Sequence, residues 1–215
     1  QEIVSVTRDN PRHRYTYADS FARVRQLANA MSGWGLSQSD RIATLAWNDY
    51  RHFETYYASA CSGFVCHTIN PRLFPEQIVY IINHAEDQYV FLDPDFWPLI
   101  EQVAPQCLGV KGWIVMTTPE HMPVTSVANV HCYEQLLEGR ADTYAWPAID
   151  EKDACALCYT SGTTGNPKAV MITHDNILFE STSILKHLQE HQGVARESGE
   201  ERVLSYLPLS HVAGM

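Results

Sequence analysis

Hydroxyl, glycine and lysine side chains crowd into Tyr159-Thr160-Ser161-Gly162-Thr163-Thr164-Gly165-Asn166-Pro167-Lys168. Glycines let a backbone turn its N–H groups inward, hydroxyls add further donors, and an ammonium supplies a point charge. A chain grips phosphate oxygens by those means. A solvated polar turn between two strands is the plainer reading, but such a turn has no need of so many adjacent hydroxyls. The chemistry expected here is therefore nucleotide-phosphate binding.

Other phosphate and catalytic patterns fit less well. Counted from Gly162, a Walker A loop requires Gly just before its lysine and Ser or Thr just after it, and this chain has Pro167 and Ala169 there. The segment also lies between two expected strands, whereas Walker A runs from a strand into a helix. No G-x-G-x-x-G follows a strand, which removes a Rossmann dinucleotide site. Cys155-Ala156-Leu157-Cys158 fits C-x-x-C, but within a strand residues three apart face opposite ways, so burial is expected rather than redox pairing. His187-Leu188-Gln189-Glu190-His191 fits H-x-x-E-H. A zinc site would need a third protein ligand, and a polar helix end is the reading preferred. Ser210 and His211 adjoin without a G-x-S-x-G elbow, so they form no nucleophilic dyad. His211 nevertheless follows an expected strand, and α/β sheets bind ligands at the carboxyl ends of their strands. His67 and His84 are scattered, and His52 reads as a surface or capping residue.

These groups need a scaffold, and the hydrophobic pattern supplies one. Arg12 to Thr16 reads as a short strand entering a helix, with Thr16 as cap and Asp19 three residues on. Phe21, Val24, Leu27, Ala28 and Met31 mark that helix's buried face, and Gly33 and Gly35 end it. Ile42 to Ala46 is a buried strand, Asn48-Asp49 opens a helix running to about Gly63, and Val65 to Ile69 is a strand. Pro75 starts a helix with the stripe Ile78, Ile81, Ile82 and Ala85. Tyr89 to Leu92, Phe96 to Val103 and Trp113 to Met116 continue as strand, helix and strand. After a loop over Thr117 to Asn129, a short helix covers Tyr133 to Leu137. Alternation of this kind predicts parallel pairing and a layered α/β fold.

Pro147 and mixed charges over Tyr144 to Asp153 mark a boundary, giving a first subdomain over 1–150 and the start of a second over 151–215. Within the latter, Ala154 to Tyr159 and Ala169 to Thr173 are strands on either side of the loop. Asp175 caps a helix carrying Ile177, Leu178, Ile184, Leu185 and Leu188. Gly193 to Glu201 is an acidic loop and Val203 to Leu207 a last strand.

The formal charge of −10 argues against nucleic acid as a partner, since a phosphate backbone requires a basic face. Apolar residues at 45% and charged residues at 19% are ordinary for a globular chain. No run is long enough to span a bilayer. Six cysteines in a chain of 215 residues suit a reducing cytoplasm better than a disulfide scaffold. Peripheral membrane contact and a homodimer stay open.

Taken together, Tyr159 to Lys168 resembles the signature loop of the adenylate-forming superfamily, which includes acyl-CoA synthetases, luciferases and peptide-synthetase adenylation domains. Tyr206-Leu207-Pro208-Leu209-Ser210-His211 resembles its next motif, in the expected order. Arg12-His13-Arg14-Tyr15-Thr16-Tyr17, Asp40 to Asn48 and His67-Thr68-Ile69-Asn70-Pro71-Arg72-Leu73 are similar to bacterial-type medium- and long-chain fatty-acid–CoA ligases. Asp175-Asn176-Ile177 and Ser205 to His211 look more like the bubblegum branch of very-long-chain synthetases, so acyl chain length stays open.

The resemblance implies the layered α/β N-terminal domain of an AMP-forming fatty-acyl-CoA synthetase, using fatty acid, ATP, Mg²⁺ and coenzyme A. Thr160, Ser161, Gly162, Thr163, Thr164 and Gly165 would cradle the β- and γ-phosphates, and Thr160 would touch Mg²⁺. Lys168 would steady the loop or the departing pyrophosphate. His211 would line the meeting point of acyl carboxylate and α-phosphate. The later glutamate motif, the ribose-binding aspartate, the hinge and the C-terminal lysine domain are not in the sequence, so a fragment inactive by itself is expected. Ala169 replaces the family's usual Gly after the lysine, and weakened nucleotide handling is expected from a crowded backbone or a less favourable φ. Ligases for other acids and a non-catalytic nucleotide-binding module are the alternatives.

Overall fold

Seven strands of this chain line up in one sheet, and the order in which they do so decides where a ligand can sit. The computed structural model describes residues 2–160, 167–191, 204, 205 and 207–209. A hairpin of β1 (Glu2–Ser5) and β2 (His13–Thr16) leads into α1 (Tyr17–Met31). Thr16 and Asp19 close a reciprocal cap at its start: Asp19 N–H donates to Thr16 Oγ1 at 3.1 Å, and Thr16 N–H donates to Asp19 Oδ2 at 2.9 Å. The elements that follow are β3 (Arg41–Leu45), α2 (Tyr50–Cys61), β4 (Val65–Thr68), α3 (Pro75–Ala85) and β5 (Tyr89–Leu92). Then come α4 (Trp97–Val103), β6 (Gly112–Val115), β7 (Val130–Cys132) and α5 (Tyr133–Leu137). The described chain ends with β8 (Ala154–Thr160), β9 (Lys168–Thr173) and α6 (His174–His191), apart from the short pieces at 204, 205 and 207–209.

The sheet runs β7-β6-β5-β3-β4-β8-β9. Its neighbours are parallel throughout except at β8–β9, which pair antiparallel. The expected layered α/β class is what the chain adopts. Period-two alternation divides the core between two faces. Ala43, Leu45, Val90, Leu92, Trp113 and Val115 pack with Ile78, Ile81 and Ile82 of α3 and Ile100 of α4. Ile42, Phe91 and Ile114 point the other way, onto Val24, Leu27 and Met31 of α1, Ala58 of α2 and Tyr133 of α5.

Four expectations need correction. Phe21 is 49% exposed rather than buried on α1; its ring stacks over Trp146 with centroids 6.3 Å apart. The face of α1 that packs on the sheet is made by Val24, Leu27 and Met31. Leu178, Ile184 and Leu185 are exposed on α6. Asp175 lies inside the first turn of α6 rather than capping it; Asn176 N–H donates to Thr173 Oγ1 at 3.2 Å instead. The strand expected over Val203 to Leu207 falls partly outside the described residues; Leu204, Ser205 and Leu207 within it form no strand.

Candidate functional site

The antiparallel register of β8 and β9 sets Tyr159 opposite Ala169 and Thr160 opposite Lys168. The glycine- and hydroxyl-rich segment thus leaves and re-enters the sheet edge at a matched pair of residues. Thr160 and Lys168 are exposed, and among the described residues no carboxylate pairs with Lys168. A hydroxyl and an uncommitted ammonium at the mouth of the loop suit an anionic ligand and its counter-ion. Ser161, Gly162, Thr163, Thr164, Gly165 and His211 lie outside the described residues. Ala169 lies in β9 and is not among the described non-glycine residues with positive φ, which are Ser39, Glu86 and Asn129. The φ penalty expected of it is therefore not incurred, because strand backbone suits alanine.

Near the end of β8, residues that looked scattered come together. The Tyr159 hydroxyl lies 2.7 Å from His84 Nδ1 on α3, and the Tyr159 ring centroid is 5.1 Å from that of His67 on β4. His67 Nδ1 in turn lies 2.8 Å from Asp87 Oδ2, with both side chains fully buried. Burial pushes the Asp87 carboxyl above its ordinary range, and His67 only partly offsets this. Burial, aided by Asp87, lifts the Tyr159 phenol to about 12, so it stays a neutral hydrogen-bonding group at physiological pH. Sequence gave no warning of this cluster, because its members come from β4, α3, the turn before β5 and β8.

At the sheet centre, β3 leads to β4 on one side and the chain then returns to place β5 on the other. Such reversals leave a crevice at the strands' carboxyl ends. A cleft of about 720 Å³ opens here, lined in part by Trp47, Asp49, Asp93, Trp97 and Thr117. Burial and the neighbouring Asp49 charge raise the Asp93 carboxyl to about 7. The turn after β3 is held from several directions. Trp47 N–H donates to Asp93 Oδ2 at 2.5 Å, and Asp49 Oδ1 caps α2 by accepting from His52 N–H at 2.8 Å.

His52 corrects the sequence reading: it is 1% exposed, not a surface residue. Its Nδ1 lies 3.0 Å from the Trp47 carbonyl and its Nε2 2.9 Å from Thr44 Oγ1. A carbonyl only accepts, so Nδ1 carries the proton and Nε2 accepts from the Thr44 hydroxyl. Burial holds this imidazole near 4 and therefore neutral. Asn48 projects from the same turn and meets the segment ahead of His211. Its Nδ2 donates to the Leu207 carbonyl at 2.6 Å, and Leu209 N–H donates to its Oδ1 at 2.9 Å.

The remaining motifs play other parts. Cys155 and Cys158 are buried in β8; the Cys155 thiol points at the Ile172 carbonyl at 3.4 Å. Burial raises both thiols, Cys155 to about 11. His187 and His191 are in the last turns of α6, and the His191 side chain lies outside the described residues.

The family model described as AMP-binding enzyme matches residues 2–215. The chain belongs to this family. Within it, the chain is 41% identical to a 3-methylmercaptopropionyl-CoA ligase of Ruegeria lacuscaerulensis, over 98% of this chain and 38% of that protein. It is also 41% identical to a medium-chain-fatty-acid–CoA ligase of Ectopseudomonas oleovorans, over 99% of this chain and 38% of that protein. The crystal structure of the inhibitor-bound N-terminal domain of FACL13 from Mycobacterium tuberculosis superposes with a TM-score of 0.73 at 25% identity, covering 94% of this chain and 46% of that one. The chain thus spans about two-fifths of the length of the curated relatives it matches. Among the described residues no helix is long and apolar enough to cross a membrane.

Proposed function

We propose that this chain is the nucleotide-gripping part of an AMP-forming fatty-acid–CoA ligase. The observation that carries the reading is the pairing of exposed Thr160 and Lys168 at the two ends of the hydroxyl- and glycine-rich segment. In the reaction, a fatty-acid carboxylate attacks the α-phosphorus of ATP, forming acyl-AMP and releasing pyrophosphate. The thiol of coenzyme A then attacks the acyl carbon, and AMP leaves. Both nucleophile and target of the first step carry negative charge, so charge neutralisation and positioning are the main work.

Thr160, Ser161, Gly162, Thr163, Thr164 and Gly165 bind the β- and γ-phosphates, and Lys168 balances the charge of the departing pyrophosphate. The Thr160 hydroxyl would help to hold Mg²⁺, which would supply further neutralisation of the phosphate charge. His211 lines the place where carboxylate and α-phosphate meet. Residues 1–150 form a first subdomain and 151–215 begin a second. The exposed stretch between α5 and β8 and the switch to antiparallel pairing at β9 support that division. A cytoplasmic location with access to membrane lipid suits a fatty substrate, and a homodimer is compatible with it. The relative at 41% identity named for 3-methylmercaptopropionate favours a second reading, a ligase for a shorter acid.

The test is acid-dependent ATP–pyrophosphate exchange by the full polypeptide carrying residues 1–215, with fatty acids of graded length and 3-methylmercaptopropionate. Exchange should peak with a medium- or long-chain acid. Replacing both Thr164 and Lys168 with alanine should lower it by about a hundredfold or more. Silence with every acid would end the ligase reading, and full activity in the double variant would show the loop to be misassigned.

A further inference from the structure

We infer that Asn48 is a positioning residue for the adenylation step, acting through the segment that carries His211. This rests on the ligase reading above. The side-chain amide of Asn48 presents one donor and one acceptor to the backbone, to the Leu207 carbonyl at 2.6 Å and from the Leu209 N–H at 2.9 Å. It stands in for a neighbouring strand, satisfying residues that belong to no strand of the sheet. His211 follows Leu209 by two residues, so whatever fixes Leu209 restricts where the imidazole can go.

Asn48 can do this because it cannot move freely itself. The backbone N–H of Trp47 is held by Asp93, and the Trp47 carbonyl by the buried His52 ring. The next residue, Asp49, is committed to capping α2. The post is therefore anchored on both sides at the carboxyl end of β3, the strand at the sheet's reversal. Only an amide of this length satisfies both backbone groups. Aspartate keeps the acceptor for Leu209 N–H but sets a carboxylate oxygen against the Leu207 carbonyl, and alanine removes both contacts.

The experiment compares wild type, Asn48→Asp and Asn48→Ala in the full polypeptide. Three quantities are read: kcat and KM for ATP in pyrophosphate exchange, thermal midpoint, and hydrogen exchange at the Leu209 amide. The expected result is a fall in kcat of about ten- to a hundredfold with KM for ATP little changed, as misplacement of a reacting group produces. Leu209 should exchange about tenfold faster or more in Asn48→Ala, with amides of β3 and β5 unchanged. Asn48→Asp, nearly isosteric, keeps the test decisive should the alanine variant fold poorly.

Wild-type kcat in a folded variant would overturn the assignment, whether or not Leu209 exchange rises. So would a fall in activity that follows the thermal midpoint alone, with Leu209 protection intact, since that marks general destabilisation. Failure of the ligase reading shows itself separately, as wild type inactive with every acid. In that case unchanged Leu209 protection in Asn48→Ala overturns the contact as well, and its loss upholds the clamp without the catalytic role.

Discussion

In a buried centre at the start of α2, Arg51 is 2% exposed and each of its three guanidinium nitrogens is engaged; at the β8–β9 edge, Lys168, Ala169, Val170 and Met171 lie exposed. Arg51 bonds Glu134 at 2.7 Å, Asp9 at 2.8 Å and the Met116 carbonyl at 3.1 Å. Arg23 bridges Glu54 at 2.8 Å and Glu134 at 3.1 Å, and the Tyr133 hydroxyl donates to Glu54 at 2.7 Å. Burial opposes ionisation of Glu134, but Arg23 and Arg51 outweigh it and hold its carboxyl below the usual range. By contrast the edge rests on a small cluster of Ala60, Cys155, Ala156, Cys158 and Ile172. The two regions differ in how charge is used. Charges at the centre are spent on one another and fix α1, α2 and α5, whereas Lys168 at the edge has no carboxylate partner among the described residues.

If that contrast is right, the largest effect belongs to the centre. Arg51→Leu leaves the buried Asp9 carboxylate without its cation and Glu134 with Arg23 as its remaining one, and should cost about 3–5 kcal/mol in urea unfolding. A loss below about 1 kcal/mol would erase the distinction. The cleft comes next. Folded Asp93 titrates near 7 against an ordinary 3.8, so between those values the folded state holds a proton that the unfolded chain has lost. Stability from this group is therefore full below about 4 and falls as pH rises through 7. Asp93→Asn, which can still accept from Trp47 N–H, should gain on wild type as pH rises across that window, by on the order of 2 kcal/mol at pH 8. A difference independent of pH, followed by unfolding at pH 5 and pH 8, would refute it.

Tyr159→Phe probes the joint between the two regions by removing the contact with His84. It should cost about 1 kcal/mol, with faster hydrogen exchange in β8. Smallest of all, Leu178→Gln and Leu185→Gln on the exposed face of α6 should each change the stability of this chain by less than about 0.5 kcal/mol. A larger loss would mean that the edge is more tightly packed than its exposure indicates.

Much of the scaffold was legible because local signals agreed with the fold. Thr16 with Asp19, Pro75, and the stripe Ile78, Ile81, Ile82 and Ala85 each marked its element, and Tyr89 to Leu92 and Tyr133 to Leu137 were placed to the residue. The hydroxyl- and glycine-rich segment stood out by composition alone. Arg51, His52 and Glu54 could not be read in the same way. Charged and imidazole residues on a helix ordinarily face water, and only partners such as Asp9 and Glu134, distant in sequence, make their burial tolerable. Phe21 misled for the opposite reason, since an apolar residue at the right period can still lie on the helix flank.

Sequence by itself determined the strand and helix alternation, the strand–loop–strand setting of Tyr159 to Lys168, and the absence of a Walker or Rossmann site. These depend on spacing over a few residues, which periodicity and turn chemistry encode directly. Only the tertiary structure decided that β3 and β5 would flank the sheet's reversal, that His84 and His67 would meet Tyr159, and that Asn48 would hold Leu207 and Leu209. Such contacts join residues far apart along the chain, and their energy exists only once parallel strands have brought those residues within hydrogen-bond reach.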